Sequence, residues 1–162
     1  MNLNERGIEM TVSQFFQSCS TLPGSITSYH FNDNFLKEFQ RLFRSKEAKN
    51  TSRVLYAFVC KGEMPRVKGK SNIIYIGHTM NSLEGRYWGC WTKGVWSRPN
   101  LEFCSYVIQN YGPINIAYLV MDTIESLETA EHDLLKDYYK LHMELPPRNS
   151  QGYGLGWNSW PG

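Results

Sequence analysis

The stretch SNIIYIGHT, Ser71 to Thr79, decides how this chain is built. Its apolar run Ile73-Ile74-Tyr75-Ile76 reads as a buried strand that stops at Gly77. His78 and Thr79 follow, and then a polar segment containing Arg86. An earlier run, RVLYAFVC from Arg53 to Cys60, is β-branched and aromatic and reads as a partner strand. Between them KGEMPRVKGK, 61–70, carries four basic residues against one acidic. Its proline and glycines argue against a regular strand, so the pair reads as a long-looped antiparallel hairpin.

Helices surround this hairpin. TVSQFFQSCS reads as a short helix, broken by TLPGS. NDNFLKEFQRLFRSKEAKN, 32–50, is the clearest helix, capped by Asn32 or Asp33. Phe35, Leu36, Phe39, Leu42 and Phe43 share one face. Lys37, Arg41, Arg44 and Lys46 share the other, which reads first as a solvated face. Asn81–Trp91 is a weaker helix, diluted by Gly85 and Gly89. Leu101, Cys104, Val107, Ile108 and Tyr111 mark a further helix that Gly112-Pro113 ends. INIAYLVMD, 114–122, is a third strand. SLETAEHDLLKDYYKLHME, 126–144, is a helix with Leu127, Ala130, Leu134, Tyr138 and Leu141 on one face, stopped by Pro146-Pro147.

The expected architecture is α+β, a small three-stranded mixed or antiparallel sheet flanked by helices. One globular domain of 162 residues is expected, with a helical extension over 1–52, a core over 53–150 and a Gly/aromatic tail over 151–162. A hydrophobic content of 41% and a charged content of 20% exclude a disordered chain. Residues 1–100 carry 14 Lys/Arg and 7 Asp/Glu, while 101–162 carry 3 and 8, so basic and acidic character is split along the chain. Cys19, Cys60, Cys90 and Cys104 have no zinc-finger spacing, and a reduced, cytoplasmic protein is expected. No apolar run approaches membrane-spanning length.

The chemistry lies in a few polar residues beside buried elements. Tyr56 and Tyr75 sit within the two hairpin strands, and Arg86 comes just after the second. Glu131 adjoins the apolar face of the last helix. Two phenols, a guanidinium and a carboxylate suit phosphodiester hydrolysis. The carboxylate can hold Mg²⁺ (or Mn²⁺), which favours oxygen ligands and keeps several waters. The arginine can bind phosphate oxygens in pairs. A tyrosine, with a reference pKa of about 10, needs nearby cations or a second base such as His78 to move a proton. Taken singly, each residue also has an ordinary structural reading; the weight lies in their occurring together.

Together these residues resemble the GIY-YIG nuclease family. Val54-Leu55-Tyr56 stands where the family has Gly-Ile-Tyr, and Tyr75-Ile76-Gly77 matches its second signature. Arg86 follows as in the family's first helix, ETAEHDLL resembles the helix with the metal-binding glutamate, here Glu131, and PPRN resembles the closing motif with its asparagine, here Asn149. The likeness covers about Val54 to Asn149. It implies one divalent metal on Glu131, cleavage of double-stranded DNA, and a Gly77 that turns the chain sharply toward a cleft. The compact build is similar to the restriction endonucleases of the family and implies a homodimer that cuts both strands. Tyr56 and Tyr75 would position or deprotonate water, Arg86 would stabilise the phosphorane, and Asn149 would orient substrate or neighbouring groups.

The chain also departs from that pattern. The 19 positions from Tyr56 to Tyr75 exceed the usual spacing, and the excess loop offers Lys61, Arg66, Lys68 and Lys70 to DNA. Some relatives carry a histidine one turn after the arginine; here that place is Cys90, with Tyr87 nearby as a further contact. The proton acceptor is therefore open between tyrosine and His78. Glu128, one turn before Glu131, is the alternative ligand. A non-catalytic nucleic-acid-binding module and a protein-interaction domain using the aromatic tail are the competing readings. Trp88, Trp91 and Trp96 read as packing residues.

Overall fold

A computed structural model describes residues 9–28, 33–92 and 98–149. The readings placed on the tail 151–162 and on the side chains of Trp88, Cys90, Trp91 and Trp96 lie outside the described residues.

The hairpin is present, with longer strands than expected. Strand β2 (Val54–Pro65) runs antiparallel to β3 (Lys70–Thr79), with Tyr56 opposite Gly77 and Phe58 opposite Tyr75. The loop expected over 61–70 shrinks to a tight turn. Pro65 takes the last position of its strand, where proline is tolerated, and register shifts between Phe58 and Met64 absorb the mismatch. Gly69, at φ +71°, closes the turn and its carbonyl accepts from the Arg66 N–H at 3.0 Å.

β2 is the middle strand. β3 flanks it on one side and β4 (Ile114–Val120) on the other, so Val54 to Phe58 are buried whichever face they point to. A fourth strand corrects the expected three. β1 (Ser20–Thr21) pairs with β4 through Tyr118 and Ala117, and the order is β1-β4-β2-β3 with every pairing antiparallel. Two residues are too few to show a period of two, so no sequence pattern marks β1. The N-terminal segment is therefore part of the sheet as well as a source of helices. The α+β class stands.

Two helical layers cover the sheet. The first holds α2 (Asp33–Phe43), α3 (Lys46–Lys49), α4 (Leu83–Thr92) and α5 (Arg98–Tyr111). Its core is aromatic, with Phe35, Phe39, Phe43, Tyr56, Phe58 and Tyr87 in one cluster. The helix expected over 32–50 is broken in two. Ser45 accepts from the Ala48 N–H and caps α3, while its hydroxyl donates to the Leu42 carbonyl. Leu36, expected on the buried face, is exposed.

The second layer holds α1 (Val12–Ser18) and α6 (Ile124–His142), packed on Leu55, Ala57 and Ile76. Thr123 starts α6 with a capping box. Met143, in the left-handed region at φ 57°, ends it before the prolines expected to do so. Leu127, Ala130, Leu134 and Tyr138 are buried as expected, but Leu141 is exposed. Among the described residues no helix is long and apolar enough to cross a membrane.

Candidate active site

Side chains along β3 alternate between the layers except at the register shift, where Ile74 and Tyr75 both join the aromatic one. Tyr75 joins the aromatic layer and Ile76 the α6 layer. Gly77 then faces Tyr56 and Tyr75. A Cβ at this position would stand 2.6 Å from Tyr75 Cε1 and 2.8 Å from the Tyr56 hydroxyl. The strand continues through His78 and Thr79, so Gly77 is not the sharp turn expected of it. It makes room for two phenols whose ring centroids are 6.0 Å apart.

Tyr56 is fully buried. Its hydroxyl accepts from the Tyr87 hydroxyl at 2.9 Å and is also hydrogen-bonded to Tyr75. Burial, and then the neighbouring Tyr75, push the Tyr56 pKa far above the ordinary phenol range. Tyr56 therefore stays protonated at neutral pH and is shielded from solvent. Its hydroxyl is hydrogen-bonded to Tyr75, so of the two roles expected of it, positioning suits its surroundings better than deprotonation of water. Tyr87 is also a core residue, 5% exposed, packed against Phe39 and Phe43, and burial drives its pKa up as well. The contact with DNA expected of Tyr87 is blocked by this burial; its hydroxyl serves Tyr56.

On the other side of β3, His78 is half-buried and its Nδ1 lies against Glu131 Oε2. Glu131 projects from α6 at 3% exposure, between Ala130 and the buried pair Leu134 and Leu135. Its Oε1 has no hydrogen-bond donor among the described residues. Burial lowers the His78 pKa, the nearby Glu128 carboxylate opposes this, and the Arg86 guanidinium adds to it. With Nδ1 turned to the carboxylate, Nε2 is the ring nitrogen left to take up a proton. Glu128 itself is exposed.

Arg86 joins the two sides. It is exposed on α4, its guanidinium lies 5.4 Å from the centroid of the Tyr87 ring, and its charge acts on both Tyr56 and His78. The Tyr56–Tyr75 pair thus lies on one side of β3 and His78 with Glu131 on the other, with the charge of Arg86 felt on both sides.

Among the described residues no group of three or more His, Cys, Asp or Glu forms a metal cage. An ion that keeps most of its waters needs only one or two carboxylates from the protein. Glu131, whose two buried carboxylate oxygens have no hydrogen-bond donor among the described residues, is the residue that would hold the expected Mg²⁺.

Asn149 lies at the outer edge of β3, 1% exposed. Its Nδ2 donates to the Ile76 carbonyl at 2.7 Å and its Oδ1 accepts from the Ile76 N–H at 2.8 Å. The Arg148 N–H donates to the Ile74 carbonyl at 3.0 Å. The amide imitates a peptide of a neighbouring strand and holds β3 in place; of the two roles expected of it, it takes the one toward neighbouring groups. Asn149→Ala would leave both Ile76 backbone groups unpaired, at about 1–3 kcal/mol each. A fall in Tm of roughly 4 °C or more is expected in a melting experiment, and an unchanged Tm would show that water replaces the amide.

Of the basic hairpin residues, Lys61, Lys68 and Lys70 are exposed. Arg66 is taken up in the structure. Its Nε pairs with Glu144 at 2.9 Å and its Nη2 donates to the Leu145 carbonyl at 2.9 Å. With Lys68 N–H donating to the His142 carbonyl, the turn is fixed to the end of α6, and Arg66 is engaged within the fold.

Comparison of the chain with protein-family models, with curated proteins and with solved structures finds no match.

Proposed function

We propose that this protein is a metal-dependent endonuclease of the GIY-YIG type acting on double-stranded DNA. The observation that supports it is that Arg86 of α4 acts both on the tyrosine pair packed at Gly77 and on His78, which lies against Glu131 of α6.

Tyr75, held by Tyr56, orients the attacking water. His78 Nε2 takes its proton as the water oxygen bonds to phosphorus and the bridging P–O bond breaks. Arg86 binds non-bridging phosphate oxygens as their charge grows. Glu131 would hold Mg²⁺ or Mn²⁺, which neutralises phosphate charge and stabilises the leaving oxygen when bound. Lys61, Lys68 and Lys70 would touch the DNA backbone. In the finer form of the proposal the enzyme is a site-specific type II restriction endonuclease, and a homodimer brings two sites to the two strands.

Cleavage of supercoiled and linear unmethylated DNA tests this. With Mg²⁺ the protein is expected to give discrete fragments; EDTA, or Arg86→Ala at the exposed arginine, is expected to remove them. Diffuse nicking would keep the hydrolysis and end the restriction form. Salt-sensitive binding without cleavage would favour a non-catalytic DNA-binding module.

A further inference from the structure

We infer that the outer face of α2 and α3 is a second anchoring surface for duplex DNA, beside the helix that carries Arg86. The inference rests on the nuclease reading, since the same duplex is the substrate. It uses residues remote from the site itself.

Helix α2 buries Phe35, Phe39, Leu42 and Phe43, so its opposite face is turned to solvent. Lys37 and Arg41 lie there at i and i+4, and Arg44 follows just past the end of the helix, all three exposed. Exposed Lys46 and Lys49 continue the row on α3. From Lys37 to Lys49 the chain has five basic residues and two acidic ones. One of the two acids is occupied: Glu38 turns back and accepts from the backbone N–H groups of Thr27 and Ser28 and from the Thr27 hydroxyl. Glu47 is the acid that remains on the row.

The row leads toward α4. Helices α2 and α3 both pack against α4. Lys49 pairs with Glu84 in the first turn of α4 at 3.8 Å, and Arg86 follows two residues later. Residues 84 and 86 point to different sides of α4, so the row borders the helix of the candidate site and does not itself face its guanidinium. The sign of the charge and the continuity of the row fit a duplex backbone. The acidic C-terminal part of the chain offers it nothing comparable.

The test is equilibrium binding of a duplex in EDTA over a range of salt, using the full chain. The variant Lys37→Gln/Arg41→Gln/Lys46→Gln keeps good helix formers at exposed positions, so the fold is retained. Each lost phosphate contact lowers the slope of log K against log salt by about 0.9, so the triple variant is expected to be shallower by about 2.7. Lys140→Gln, on the exposed face of α6, is the control and is expected to leave the slope unchanged.

A shallower slope in the triple variant alone supports the inference. Wild-type binding and cleavage with an unaltered slope in the triple variant overturn it and leave the nuclease reading standing. Binding that depends on the row, without cleavage in Mg²⁺, supports the row and overturns the nuclease reading. An equal loss in the Lys140→Gln control overturns the inference in favour of a general charge effect. No duplex binding by the wild type overturns both.

Discussion

Glu131→Gln is expected to lower cleavage by at least about 10³-fold while making the protein harder to melt. The two effects share one cause. Glu131 is buried on an apolar helix face, and the contact on its carboxylate is His78 Nδ1. Its other oxygen has no donor among the described residues. A carboxyl group buried with so few partners is costly to keep ionised, and among the described residues no hydrogen bond offsets that cost. Glutamine has nearly the same shape, can still accept from His78 and carries no charge. Stability should rise by about 1–3 kcal/mol, or roughly 3–8 °C in Tm. Cleavage kinetics and calorimetry on the same sample check both effects. A variant that cuts within tenfold of wild type would move the metal to another carboxylate, with Glu128 next. One that melts well below wild type would make Glu131 a structural group, and lost cleavage would then say nothing about the metal.

Gly77→Ala is expected to be the most damaging single-methyl change in the strand. The added carbon would lie 2.6 Å from Tyr75 Cε1 and 2.8 Å from both Cζ and the hydroxyl of Tyr56. Tyr56 cannot retreat, because Phe58 and Tyr87 hold its ring and Tyr87 binds its hydroxyl. Tyr75 is the side chain that must swing out. Overpacking of this kind costs about 1–3 kcal/mol, and the broken phenol contacts add to it. A Tm lower by roughly 5–10 °C is expected, with cleavage reduced even in the folded fraction. Circular dichroism melts beside an activity assay well below the transition distinguish the two effects. Full activity at low temperature would mean that Tyr75 need not stand where it does.

The sequence carried the hairpin, the third strand and the apolar helix beneath Glu131, because alternation and helical spacing are local signals. Glu131 next to Ala130, and before Leu134 and Leu135, could be placed at the border of a buried face, and the structure buries it. Partnerships across long separations were not legible. Arg66 looked like one more cation on a basic loop, yet Glu144 and the Leu145 carbonyl, far along the chain, take it. Tyr56 and Tyr75 look alike in a strand pattern. Only the packing of α4 through Tyr87 makes one a sealed core phenol and leaves the other half-buried. The short strand at Ser20 was hidden for a simpler reason: pairing with β4, not residue type, makes it a strand.

The side-chain amide at residue 149 also has a consequence for how copies of this protein can meet. An uncovered border strand is a template on which another molecule can add its own backbone, and such growth ends in aggregates. Here that border is occupied from within: Arg148 and Asn149 already fill the outward positions at Ile74 and Ile76. The opposite border is only two residues long, too short to seed a foreign strand. Among the described residues, this cover at Ile74 and Ile76 works against pairing of two molecules through the middle of β3.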